Sequence, residues 1–243
     1  MSPWMIGLLT FVCVYGGAIL GFALRVPEKH RDSDSRDVLK VGTGLVGTMA
    51  ALVLGLLVAS AKASYDNQRD ELIQVCADVS LLDRGLANFG PESAETRKQL
   101  RSTVETAFSQ LWGNSAEPPT TAGETFYESL NLLEPASEKQ RAIKAAAVDL
   151  AMNIGKTRWL LHAQNASAIS TPLLVIVVFW LTILFVGFGL YATPNATVRI
   201  ALFVCALSVA AAIFLILEMD RPFGGVIRIP DAPLREVVSR IGK

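Results

Sequence analysis

The sequence predicts an all-α integral membrane protein: four transmembrane helices, with a helical extramembrane domain inserted between the second and third. Three observations carry this. Residues 3–24, 41–61, 172–191 and 198–217 are apolar runs with no charge beyond Arg199 at the edge of the last, each long enough for one helix to cross a bilayer. Hydrophobic residues form 51% of the 243-residue chain and charged residues 18%, below the usual quarter. Between the second and third runs, apolar side chains recur every three or four positions, as on a helix with one buried face. The expected division is 1–61 for the first two spans, 62–170 for the domain, 171–221 for the last two spans and 222–243 for the tail. A formal net charge of zero implies no nucleic-acid partner.

The first span, 3–24, competes with a signal peptide. Nothing basic precedes it and no small-residue cleavage site follows before Arg25, so it reads as a retained helix. Gly17 and Gly21 form a GxxxG pair. Residues 25–40 hold five basic and four acidic residues with Pro27 and read as a solvated loop.

The second span, 41–61, reads VGTGLVGTMAALVLGLLVASA. Thr43, Gly47, Ala51, Gly55, Ala59 and Ala63 recur every four residues, all of them small, and are expected to stack on one side. Such a stripe admits a close helix neighbour or lines a narrow polar path; both readings stay open. Thr48, Ser60 and Ser64 add hydroxyls. No Pro or Gly separates Ala59 from Leu82, so the helix is expected to leave the membrane and run to Phe89, where Gly90-Pro91 stops it. Lys62 and Asp66, one turn apart, can pair at the boundary.

Leu72, Val75, Val79, Leu82, Leu86 and Phe89 give the emerging helix its apolar face. A second polar helix, 92–112, carries Leu100, Val104, Phe108 and Leu111. A turn-rich connector covers 113–123, a short helix 126–133, and a longer helix from about residue 136 carries Ile143, Ala147, Leu150, Ile154 and Leu161. The 11 basic and 14 acidic residues of 62–170 are scattered, as on a solvated surface.

Thr171-Pro172 opens the third span. Residues 192–197, ATPNAT, form a tight turn, so the third and fourth spans make an antiparallel hairpin. Ala201, Cys205, Ser208 and Ala212 are a small face on the fourth. Its exit, Leu217-Glu218-Met219-Asp220-Arg221-Pro222-Phe223, is the densest charge cluster at the membrane. Ionisable groups there are costly unless paired or hydrated. Glu218, Asp220 and Arg221, with Lys62, are either a pore-mouth cation site or a salt-bridge network that fixes helix depth. The tail has a short helix over 234–241. The two sequons, at Asn165 and Asn195, read as chance matches. Cys13, Cys76 and Cys205, with His30 and His162, give no disulfide or metal spacing; no cofactor is expected. Basic residues near the spans number seven on one face and six on the other, which leaves orientation open.

With these residues in view the chain resembles the bacterial bestrophin-like membrane protein family, a domain of unknown function. The likeness rests on residues 56–62 and 64–66, then 179–185, 195–197 and 203–208, and above all on 217–223. It implies a distant likeness to bestrophins, which are pentameric anion channels with four spans, a helical cytoplasmic domain and a pore lined by the second span. A ring-shaped homo-oligomer, pentameric by analogy, in the bacterial inner membrane with the 62–170 domain cytoplasmic follows as an expectation of the resemblance. The sequence departs from it in two places. The second-span stripe is Gly, Ala and Thr rather than bulky apolar residues, and no acidic calcium clasp is present.

The leading functional expectation is an oligomeric channel or pore for small inorganic ions, in contact with lipid. Thr43, Gly47, Thr48, Ala51, Gly55, Ala59, Ser60, Ala63 and Ser64 would line the pathway or the helix contacts. Lys62, Asp66, Glu218, Asp220 and Arg221 would set charge at the mouth; Glu218 and Asp220 favour cations. The alternative is a non-conducting scaffold or sensor whose helical domain binds a partner. No nucleophile–base pair, metal set or phosphate loop points to an enzyme.

Overall fold

The computed structural model describes residues 2–24, 33–112, 122–164, 171–193 and 195–242, and only the backbone of 33–40, 108, 122 and 162–164. The expectations for the 25–32 loop, the 113–121 connector, the Phe108 side chain and the Asn165 sequon fall outside it. The described residues form eight helices: α1 (Pro3–Ala23), α2 (Ser33–Phe89), α3 (Ala94–Trp112), α4 (Ala122–Asn131), α5 (Glu138–Gln164), α6 (Thr171–Tyr191), α7 (Ala196–Met219) and α8 (Ala232–Arg240). A single 3-10 turn, Pro91–Ser93, precedes α3. Stretches of α1, α2, α6 and α7 are long and apolar enough to cross a membrane.

Residues 33–40, expected as loop, are the first turns of α2. They contain no Pro or Gly to interrupt a helix. At 57 residues α2 is roughly 85 Å long. It ends at Gly90, whose φ of +130° is costly for other residues, followed by Pro91. The Gln140 side-chain amide donates to the Phe89 carbonyl at 2.7 Å and satisfies one of the orphan acceptors at that end. Ser137 and Gln140 open α5: the Ser137 hydroxyl accepts from the Gln140 N–H at 3.2 Å, and Gln140 Oε1 accepts from the Ala136 N–H at 2.8 Å, a variant of the capping box.

The chain divides into two compact units: Met1–Ser64 with Ala168–Asp220, and Tyr65–Ser167 with Arg221–Lys243. In the first, α1 packs on both α6 and α7. The α1–α6 contact is backbone on backbone. A Cβ added at Gly21 would run into the Val186 carbonyl and lie 2.9 Å from the Gly189 Cα; one at Gly189 would run into the Ala18 carbonyl and lie 3.0 Å from the Gly21 Cα. A Cβ at Gly17 would lie 2.9 Å from the Thr182 carbonyl oxygen. The GxxxG pair of α1 is therefore the seat of α6, the close approach that small residues permit in a bilayer. α7 joins through a notch at Gly7, where a Cβ would meet that of Phe214 at 3.3 Å. Phe11 and Tyr15 of α1 set their rings edge-on to Phe203 of α7, at 5.3 and 5.4 Å. This contact turns Ala206, Ala210, Ile213 and Ile216 inward. The small face expected of α7 turns out instead: Ala201, Cys205 and Ser208 are exposed and Ala212 is half-buried. Hydroxyls of Thr10, Thr182 and Ser208 donate to carbonyls one turn back, which satisfies them where no water is present.

The second unit buries α2 side chains against α3, α4, α5 and α8. Val79, Leu82, Leu86 and Phe89 meet Leu100, Val104, Phe126 and Leu130, so the apolar repeat read along α2 is a core face. Leu234 and Ile241 join that core: the tail belongs to the unit. Arg97 clasps Asp83 through Nε and Nη2 at 2.8 and 3.0 Å, and the Gly242 N–H donates to the same carboxylate at 3.3 Å. The hydrogen bond from Arg97 to Asp83 holds the guanidinium above its ordinary value.

Two outcomes follow from this packing. Gly21→Leu separates α1 from α6 and lowers the unfolding midpoint in detergent, a loss of about 1–3 kcal/mol from overpacking. Gly16→Ala, where a Cβ meets nothing within 4 Å, leaves the midpoint unchanged or raises it. Cys76 is 6% exposed, and burial pushes its thiol from 9.0 up to about 11. The folded protein therefore resists maleimide at pH 8 and reacts on unfolding. Because the folded state holds the proton longer, this thiol costs stability as pH rises from about 9 to 11; Cys76→Ala should flatten that part of the profile.

Candidate functional site

Successive residues of an α-helix are turned by about 100°, so a step of four overshoots a full turn by about 40°. The stripe that starts at Thr43 therefore winds around α2 instead of holding one face. Thr43 and Gly47 are half-buried against α6: a Cβ at Gly187 would lie 3.2 Å from the Thr43 methyl, and one at Gly47 3.9 Å from Leu184. Ala51, Gly55, Ala59 and Ala63 are exposed, as are Thr48 and Ser60, while Ser64 is half-buried.

The described side chains of the span instead form two exposed rows with steps of four, three and four, beside a buried set. Ala50, Leu57 and Ala61 are buried, at 1%, 4% and 2% exposure. Leu45, Met49, Leu52 and Leu56 form an exposed row of large apolar side chains. Gly44, Thr48, Ala51 and Gly55 form an exposed row of small ones, continued by Ala59 and Lys62. The Thr48 hydroxyl donates to the Leu45 carbonyl at 2.8 Å, so it is satisfied yet still free to accept. Gly44 was missed by a fixed four-residue period; the alternating one finds it.

The charges expected at the mouth differ in exposure. Glu218 is 1% exposed, on the last turn of α7 with Ile216 and Met219 buried beside it. Asp220 and Asp66 are half-buried, and Lys62 and Arg221 are exposed. Lys62, Glu218 and Asp220 fall in the transmembrane unit, Asp66 and Arg221 in the helical unit. All five are engaged in polar or electrostatic interactions.

The segment after α7 is a locked turn. The Gly224 N–H donates to the Arg221 carbonyl at 3.0 Å, and the Ile229 N–H to the Pro222 carbonyl at 2.7 Å. The Trp112 indole donates to the Ile229 carbonyl at 3.3 Å and meets the Phe223 ring edge-on at 5.3 Å. Phe223 and Ile229 are buried with Leu72 and Leu161. Pro222 and Phe223 thus anchor the start of the tail in the helical unit. Trp112, 117 positions away from Ile229, has no local signal that reveals this. Among the described residues no group of three or more His, Cys, Asp or Glu could hold a metal ion.

Comparison with solved structures finds the same fold. A Klebsiella pneumoniae bestrophin homologue carrying a point substitution superposes with a TM-score of 0.72 at 12% identity, over 96% of each chain. A second structure of a bestrophin homologue from that organism gives 0.67 at 13% identity over 95% of each chain. A structure described as a membrane protein gives 0.67 at 13% identity over 96% of each. Comparison with curated proteins gives no match. The family model for the Bestrophin-like domain matches residues 10–234. The resemblance read from residues 56–62, 64–66, 179–185, 195–197, 203–208 and 217–223 agrees with this match over nearly the whole chain, and this integral membrane protein belongs to the Bestrophin-like family.

Proposed function

We propose that the chain assembles into a closed homo-oligomeric ring in the bacterial inner membrane and forms a pathway for small inorganic ions. The ring is pentameric by analogy with bestrophins, and the second span lines the pathway. The observation that carries this reading is the exposed row Gly44, Thr48, Ala51 and Gly55, with Ala59 and Lys62 beyond it. The other exposed flanks of this unit carry bulk at Leu8 and Val12 on α1, Val175 and Phe179 on α6, and Ile200 and Val204 on α7, although α7 also exposes the small Ala201, Cys205 and Ser208. A row of small side chains on the same unit suits water or a close neighbouring helix better than acyl chains. Closed rotational symmetry brings one such row per subunit to the axis. Lys62, at the end of the row, sets charge there; Asp66 follows one turn on. Glu218, buried, positions α7. The 62–170 helices face the cytoplasm in this arrangement. The rival arrangement seals the same row between subunits and leaves a non-conducting scaffold.

Cysteine accessibility separates the two. In a cysteine-free ring reconstituted in a planar bilayer, Thr48→Cys and Gly55→Cys lose current on adding a membrane-impermeant thiol reagent, and Leu52→Cys does not. Lys62→Gln shifts the reversal potential, and Glu218→Gln leaves it in place. A well-folded ring that passes no ions, or a monomer, overturns the proposal.

A further inference from the structure

The helical unit contains a cavity of about 690 Å³, inside the roughly 300–1,000 Å³ range of small-molecule sites. Its walls are apolar side chains of α2, α3 and α4, among them Val79, Leu100, Val104 and Phe126. Met152 and Trp159 of α5, 51% and 60% exposed, also line it. The basic group in the lining is Arg158. Its guanidinium lies over the first turn of α4, where a Cβ at Gly123 would meet Nη2 at 3.4 Å.

Arg158 is half-buried, and among the described residues it makes no ion pair or hydrogen bond. Burial pulls its guanidinium below the ordinary value. Glu124 and Glu128 also line the cavity, but both are exposed and water can satisfy them. Among the described residues the guanidinium, beside the positive end of α4, has no ion-pair partner. An apolar chamber with one desolvated cation at its wall is complementary to a molecule with an apolar chain and an anionic planar head, which a guanidinium grips through paired N–H donors.

We propose that this cavity binds an amphipathic carboxylate, a medium-chain acyl anion whose head meets Arg158 and whose chain lies along Leu100, Val104 and Phe126. The site stands whether or not the ring conducts. It would give the helical unit a means of sensing acyl anions released from the bilayer.

The test uses the full-length protein in lipid nanodiscs with a photoreactive diazirine analogue of decanoate, followed by peptide mass mapping. Adducts are expected on residues 123–128 and 151–161, competed by decanoate and not by decanol. Arg158→Gln should lower that labelling about tenfold, the worth of a charged hydrogen-bond pair, and Arg158→Lys should restore part of it. Val104→Trp should abolish labelling by filling the chamber. Labelling of the spans serves as the internal reference, and each variant is compared only if its circular dichroism and oligomer size match the parent. Adducts confined to the spans, labelling indifferent to Arg158→Gln, or equal competition by decanol overturn the proposal. So does a disulfide between neighbouring copies of Met152→Cys in unliganded protein, which would show that a second copy fills the cavity.

Discussion

The transmembrane unit depends on backbone meeting backbone where α1 crosses α6. In a bilayer no hydrophobic force brings helices together, because lipid chains are as apolar as the side chains. Association has to come from close van der Waals contact, and that contact is closest where neither helix has a Cβ. Gly21 and Gly189 stand opposite each other, with Gly17 one turn away against the Thr182 carbonyl. With α6 held on α1 at this distance, its other small position, Gly187, receives the Thr43 methyl of α2. Four glycines thus set the spacing of three spans.

That spacing decides what α2 does. A span held by one flank keeps two flanks uncovered. Here they differ in kind, large side chains along Leu45, Met49, Leu52 and Leu56, small ones along Gly44, Thr48, Ala51 and Gly55. Beyond the membrane run the same helix becomes the wall of a water-facing bundle. Its buried row changes from Ala50, Leu57 and Ala61 to Leu72, Val79, Leu82 and Leu86. Small buried residues suit helix contacts in lipid. Leucines suit a core from which water is expelled, where each buried leucine contributes about 1.5–3 kcal/mol.

The helical unit is closed by contacts distant in sequence. Arg97 on Asp83 pins the corner between α2 and α3, while Gln140 on the end of α2 and Trp112 on Ile229 join elements the chain does not place side by side. The tail is drawn in by Leu234 and Ile241, and the turn before it by Phe223. A cavity remains among these helices, and the half-buried Arg158 lies at its wall.

Much of this was legible in the sequence, because local periodicity and end signals are properties of neighbouring residues. The four spans, the amphipathic row from Leu72 to Phe89, the stop at Gly90-Pro91 and the GxxxG pair all follow from spacing and backbone preference. Which flank of a helix meets which neighbour does not. A row of small residues every four positions looks continuous in print and yet turns by about 40° per step. Only the position of α6 shows that Thr43 and Gly47 are covered while Ala51 and Gly55 are not. In the same way the burial of Glu218, the outward turn of Ala201 and Cys205, and the chamber beside Arg158 arise from residues far apart in the chain. The sequence determined where the long apolar and amphipathic helices form and where α2 stops; the tertiary structure decided which sides face one another, because that depends on three-dimensional neighbours that no local pattern encodes.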